Sequence, residues 1–332
     1  MLLLLRQVYV SEQDIDNQRI VWRGHASEPL PDYRLLSVIY GVAAASHLAV
    51  KSLHRAALDA GNVYLKSAEV IRSDFYMDDF LTGSDSLQEL SSLQRDVSLV
   101  LSQSGFEPRK WATNCQPLRD QIQHASKQIS HLLAEGNDIR TLGCIWHRDN
   151  DSLSIAFNLD ELPIKLTKRV CLSDSSKIFD PLGLISPCTI GSKIWLEKVW
   201  RSNVDWDELV PPGISIEWLT HRRELAELSS LKLCRWIDTS SIADAEFHIF
   251  TDASEAAYAA AVYCRTLTSV DDVSVVLLAA KPRVAPLKTT SLPRLELCAA
   301  HLGAKLVRQV ESSFGCRLER LYEWSDSMVT LA

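Results

Sequence analysis

The sequence predicts a mixed α/β protein of the α+β kind, on three observations. Short apolar segments flank an Asp-Asp pair at Asp78 and Asp79 in the pattern of a hairpin. From about Leu166 to Trp236 the apolar residues recur with helical period, and prolines interrupt the run. From Glu246 onward, strand patterns are joined by one long amphipathic helix. A chain of 332 residues exceeds what one core usually holds, and these shifts of character place three domains at 1–160, 161–245 and 246–332.

Taken in order, Leu2 to Val10 and Gln18 to Trp22 read as strands around the polar turn SEQDIDN. Between Ala43 and Ala60, the residues Ala45, Leu48, Ala49, Ser52, Leu53, Ala56 and Ala57 follow helical spacing, and Gly61 is a stop signal. His47 is an ordinary residue of this helix. In IRSDFYMDDFLTG, from Ile71 to Gly83, the flanks pair as strands and the two aspartates fall at the tip. A tip keeps both carboxylates at the surface, where hard divalent cations find oxygen ligands. The plainer alternative is an Asx-type turn. A helix follows, with Ser86 and Glu89 as a capping box and Leu87, Leu90, Leu93, Val97 and Leu101 as its core stripe, ending at Gly105.

The hairpin TLGCIWHRDNDSLSIAF turns at Asp149-Asn150-Asp151, and its His147 is read as a surface residue without chemistry. The next stretch holds Trp195, Trp200, Trp206, Trp218 and Trp236, with breaks at Pro181, Pro187, Pro211 and Pro212. Its basic residues Lys165, Lys168, Arg169, Lys177, Lys193, Lys198 and Arg201 suit either a duplex-gripping face or plain solvation. DWDEL reads as an acidic helix start. FHIFTDAS is then a buried strand ending in Asp252, with further strands at Ala259–Arg265 and Val273–Ala280. A helix with Pro293 in its first turn presents Leu295, Ala299, Leu302 and Leu306 to the core, with Glu296 beside that face. Arg320 to Trp324 is a strand leading into Ser325-Asp326. Asp252, Glu296 and Asp326 thus project from two strands and a helix of a small mixed sheet, an arrangement that resembles the ribonuclease H fold; the resemblance implies that they hold two metal ions for phosphodiester chemistry.

Composition limits the class. Hydrophobic residues make up 46% and charged residues 23%, as in ordinary globular proteins. A net charge of −7 argues against a general nucleic-acid coat while permitting a local cleft. The eight cysteines contain no CxxC pair, which argues against a zinc ribbon. Several lie in apolar runs, as free thiols do in a reducing, intracellular setting. MLLLL is too short for a signal-peptide core, and no apolar run approaches a membrane span, so a soluble protein without a membrane partner is expected.

YMDD in this flanking resembles the catalytic box of reverse transcriptases, specifically the palm hairpin of retroelement polymerases. Tyr33-Arg34 through Tyr40-Gly41 to Leu53 is similar to the template- and nucleotide-contacting segment upstream of that box. Gly105-Phe106 and Lys110-Trp111 resemble the motif that follows it, and Leu142-Gly143 with Trp146 the primer-gripping hairpin. IFDPLGLISP, from Ile178 to Pro187, is similar to a segment of BEL/Pao-type retrotransposon polyproteins.

This resemblance implies a polymerase palm and thumb-start remnant over 1–160, a helical connection over 161–245 and a ribonuclease H-like domain over 246–332. It implies Mg²⁺ held by Asp78 and Asp79 in the first domain and by Asp252, Glu296 and Asp326 in the last. Lys110 would donate a proton to pyrophosphate, and Tyr40, Gly41, Tyr76 and Met77 would contact nucleotide or template. The implied partners are an RNA/DNA template-primer or hybrid duplex, and deoxynucleotides. The family's first catalytic aspartate would fall before Met1 and its later ribonuclease H acid beyond residue 332. On that ground the chain is expected to be a fragment with impaired polymerase activity. A retrotransposon aspartic peptidase is an alternative label, but its chemistry needs two Asp-Thr/Ser-Gly loops. Thr251-Asp252-Ala253-Ser254 is the nearest approach and lacks the glycine. A non-catalytic nucleic-acid-binding remnant is the remaining alternative.

Overall fold

A computed structural model describes residues 6–125, 134, 136–156, 165–237, 244–269 and 272–331, and the chain divides into two units, 1–136 and 137–332. No helix among the described residues is long and apolar enough to cross a membrane.

In the first unit, the strand expected over Leu2 to Val10 is reduced to one bridge between Tyr9 and Ser37, flanked by bonds from Val38 N–H to Val8 O and from Val10 N–H to Leu36 O. Leu2 to Leu5 lie outside the described residues. β1 (Arg19–Val21) pairs antiparallel with β2 (Asp32–Arg34). α1 (Ala45–Asp59) buries Ala45, Ala49, Leu53, Ala56 and Ala57 as its spacing predicts. Leu48 is instead 40% exposed, because it lies about 110° round the helix from the centre of that face. α2 (Leu65–Ser73), not expected from the sequence, leads into β3 (Phe75–Tyr76) and β4 (Asp79–Phe80).

α3 (Leu87–Gln103) starts at Ser86, whose side chain accepts the Glu89 N–H at 3.4 Å. The Glu89 carboxylate turns to Lys66 and Ser84, so only half of the expected capping box forms. α4 (Gln116–Ala125) follows. Leu53, Ile71, Leu93, Val97, Leu101 and Phe106 form the core, and Phe75 and Phe80 stack at 4.7 Å to rest the hairpin on it.

The second unit opens with β5 (Asp138–Thr141), β6 (Cys144–His147) and β7 (Ser152–Ile155), an antiparallel sheet completed by the distant β8 (Leu233–Cys234). Between them lie α5 (Lys168–Ser176), α6 (Ser186–Arg201) and α7 (Pro212–Glu227). Their core is Cys171, Trp195, Val199, Val210 and Trp218, with the two indoles stacked at 4.4 Å. DWDEL does not start a helix: Leu209 bridges to Thr167, and α7 begins only at Pro212. Because β8 pairs with β7, the hairpin of 138–155 belongs with the helices that follow it. The observed division at 136/137 therefore differs from the expected one near 160, and 161–245 does not separate as a unit of its own.

The second sheet comprises β9 (Glu246–Ala253), β10 (Ala257–Ser269), β11 (Asp272–Val284) and β12 (Leu321–Trp324) in the order β11-β10-β9-β12, all antiparallel except β12 beside β9. α8 (Leu292–Phe314) covers one face, and a short α9 (Met328–Leu331) follows β12. β9 is therefore buried on one side only. Phe247 and Ile249 face the core, while Phe250 is 47% exposed in a row of rings with Trp324, His248 and Tyr322.

The segment before α6 joins helices to sheet. Asp180 accepts the N–H groups of Leu184 and Ile185 at 2.8 and 3.0 Å, and Leu182 O accepts the Ala280 N–H of β11 at 2.8 Å. Gly183 has φ +75°, and a Cβ there would lie 1.8 Å from Ala280 O, so only glycine permits this approach.

Candidate metal centre

Three local features bring Asp252, Glu296 and Asp326 to one point. β12 runs parallel to β9 with Trp324 level with Phe250, so Asp326 and Asp252, each two residues further on, lie at the same end of the sheet. α8 packs on β9 and buries Leu295, Ala299, Leu302 and Leu306, which puts Glu296 on the inner side of its first turns. Gly303 lets the helix approach: a Cβ there would meet Thr251 Cγ2 at 2.8 Å and Ile249 Cγ2 at 3.3 Å. One carboxylate oxygen from each of the three residues then lies within 4.8 Å of the others. This is the only group of three or more candidate ligands of the His, Cys, Asp or Glu type among the described residues.

The electrostatics are unfavourable as they stand. Asp252 and Asp326 are exposed, whereas Glu296 is 8% exposed and its Oε2 has no hydrogen-bond partner among the described residues. Burial pushes the Glu296 carboxyl above its ordinary range, the charges of Asp252 and Asp326 push it further, and the Ala253 N–H pulls the other way. Ala253 N–H also donates to Asp252 Oδ1 at 2.7 Å. A buried acceptor without a donor costs about 1–3 kcal/mol. An all-oxygen set of this charge fits a hard divalent cation, which would satisfy the orphaned oxygen and offset the mutual repulsion.

In the first unit, Tyr76 pairs with Asp79 across a two-residue loop of Met77 and Asp78. Met77 has φ 59°. Positive φ at the first loop residue alone marks a type II′ turn, and a side chain there costs about 1–3 kcal/mol. Asp78 is exposed at the tip, Asp79 is half-buried and Tyr76 is 60% exposed. Lys110 is exposed with φ 58°, and the neighbouring Trp111 packs edge-on against Phe80 at 6.1 Å. Tyr40 is 39% exposed and Gly41 has φ +85°.

One reading needs correction, and one left open is narrowed. His147 is not a plain surface residue: its Nδ1 lies 2.7 Å from Asp138 Oδ1 and its Nε2 2.8 Å from Ser154 Oγ. It locks three strands of the first sheet together, and Ser154 is buried. The basic stretch does not present a uniform cationic face. Arg169 binds Asp207 through two bonds, Lys198 binds Glu217, Arg201 binds Glu197 and Lys177 binds Asp174. Lys168 lies 4.5 Å above the Trp200 ring. Gly303 was missed, although a glycine amid the core positions of a long helix was its visible signal.

Residues 167–327 match the family described as Pao retrotransposon-like RNaseH-like domain. The matched span runs from α5 past Asp326 and contains all three carboxylates, so the chain holds a Pao-type retrotransposon RNase H-like region. No curated protein matches the chain.

Proposed function

We propose that the second unit is a nuclease of the ribonuclease H type, cleaving the RNA strand of an RNA–DNA hybrid formed during retrotransposon copying. The convergence of Asp252, Glu296 and Asp326, with Glu296 Oε2 buried and unpartnered, carries this reading. The three carboxylates would hold Mg²⁺, which when bound supplies an activated water and charge neutralisation at the leaving oxygen. The exposed Asp252 and Asp326 are open to an approaching phosphodiester. Glu296 anchors the set from the buried side, and the Ala253 N–H fixes the orientation of Asp252.

The test is incubation of the full chain with an end-labelled RNA–DNA hybrid in Mg²⁺ or Mn²⁺. RNA fragments are expected from the wild-type chain, with Asp252→Asn reducing the rate at least ~100-fold, since members of a cooperative catalytic group fail together. An intact hybrid after incubation with folded wild-type chain in both metals would sink the reading.

For the first unit, the strained Met77 turn with Asp78 at its exposed tip supports nucleotidyl transfer as in a polymerase palm. A template-primer and deoxynucleotides would be its partners, with Tyr40, Gly41, Tyr76 and Met77 toward nucleotide or template, Asp78 and Asp79 toward Mg²⁺, and Lys110 toward pyrophosphate. Primer extension on a homopolymer template tests it. Extension that is unchanged in Asp78→Asn would exclude the hairpin as its site.

A further inference from the structure

The outward face of α8 carries Arg294, Cys298, His301, Lys305 and Arg308, all exposed. Their spacing of four, three, four and three keeps them within about 40° of one line along the helix. The line starts in the turn that bears Glu296 and runs about 21 Å away from it, at 1.5 Å per residue. No carboxylate shares it: Glu296 is buried on the other side, and Glu311 accepts the Leu318 N–H at 3.2 Å. The side chains of Arg294, His301, Lys305 and Arg308 enter no hydrogen bond or ion pair among the described residues. Basic residues of α5 and α6, by contrast, are largely matched to acids. In a chain of net charge −7, the unmatched Arg294, Lys305 and Arg308 on the helix that carries Glu296 mark a local complement to a polyanion.

We propose that this line of α8 is a backbone-tracking strip that holds one strand of the bound nucleic acid by its phosphates, on the side leading away from the cleavage centre. The strip rests on the nuclease reading for its starting point. Its length of about 21 Å is enough for several consecutive phosphates of one strand. The occupant is a phosphodiester chain, because the cations are spaced along a line as its phosphates are. Phosphate contacts of this kind set register and orientation without reading sequence.

The test uses the full chain carrying Asp252→Asn, so that substrate is not consumed, and a fluorescent 20-base-pair RNA–DNA hybrid followed by anisotropy across a salt series. Adding Arg294→Gln, Lys305→Gln and Arg308→Gln, all surface changes between good helix formers, should weaken binding at least ~10-fold at 0.1 M salt. It should also lower the slope of log affinity against log salt by about 2–3. A hybrid bearing a tethered thiol a few phosphates from its centre should form a disulfide with Cys298, and Cys298→Ser should remove that product while Cys234 and Cys316 do not replace it. An unchanged salt slope in a folded triple variant overturns the strip, whatever the cross-link shows. The nuclease reading fails separately, if the chain without Asp252→Asn leaves the hybrid uncut while the slope still responds to the triple change.

Discussion

Gly303 in α8 lies so close to Thr251 in β9 that one added methyl group would stand 2.8 Å from the threonine Cγ2. The contact is four residues along the helix from Ala299, and the same packing holds Glu296 beside Asp252. Gly303→Ala would gain about 1 kcal/mol in helix propensity and lose about 1–3 kcal/mol to overpacking against a short, β-branched side chain. The expected net result is destabilisation of up to ~2 kcal/mol in urea unfolding, with a larger proportional loss of hybrid cleavage because the helix is displaced from the acids. An alanine variant of full activity would show that the helix can shift without moving Glu296.

Glu296 gives a pH prediction. Its folded carboxyl titrates above the ordinary 4.5, mainly through burial and then through its two acidic neighbours. Protonated in the fold, it contributes stability that is fully present below the unfolded value and lost as pH rises through the folded one. Glu296→Gln should therefore match the wild-type chain below about pH 4 and exceed it in Tm at pH 7 without divalent ions. Mg²⁺ or Mn²⁺ should raise the Tm of the wild-type chain and leave the variant nearly unmoved. A variant less stable than wild type in metal-free buffer at pH 7 would contradict this.

Asp174 and Arg222 form a buried pair between α5 and α7, 3.0 Å apart, with both side chains under one tenth exposed. Loss of the buried carboxylate breaks this pair, so Asp174→Ala should cost about 3–5 kcal/mol in denaturant unfolding. Arg169→Ala, which breaks an exposed pair with Asp207, should cost far less. Equal costs would mean that burial does not set the difference.

Thiol chemistry separates the cysteines. Burial, followed by the charge of Asp174, pushes the Cys171 thiol up to about 12, so it should stay unreactive toward a disulfide reagent until the chain unfolds. The exposed Cys234, Cys298 and Cys316 should react first. Fast labelling of Cys171 in native buffer would show that the tryptophan-lined helical core opens readily.

The late acidic set was legible because strand ends and helix faces are periodic. FHIFTDAS carries an aspartate at the end of an apolar strand and LYEWSD one just past it, and Glu296 is fixed by its neighbours Leu295 and Ala299. What the sequence hid depended on distant partners. The two residues of β8 pair with a strand about eighty positions earlier, and no local pattern marks that. α2 was missed because Tyr64 to Ser73 mixes polar and apolar residues in a short span, and its helical form rests on burying Ala68 and Ile71. The basic stretch left a phosphate-facing surface and plain solvation both open because its neutralising acids, Asp207 and Glu217 among them, lie well downstream in sequence.

The bond from Ala280 N–H to Leu182 O guards an edge of the second sheet. β11 is the outermost strand of its sheet and 13 residues long, a length at which unpaired donors invite another chain to add on. The loop at Gly183 occupies that edge at Ala280, and two residues further, in the same outward direction, Pro282 has no N–H to offer. α6 packs against the same strand. The helices thus shield the sheet from edge-to-edge aggregation, and a fragment cut at residue 245 would keep every acidic residue of the centre yet lose the guard at Ala280.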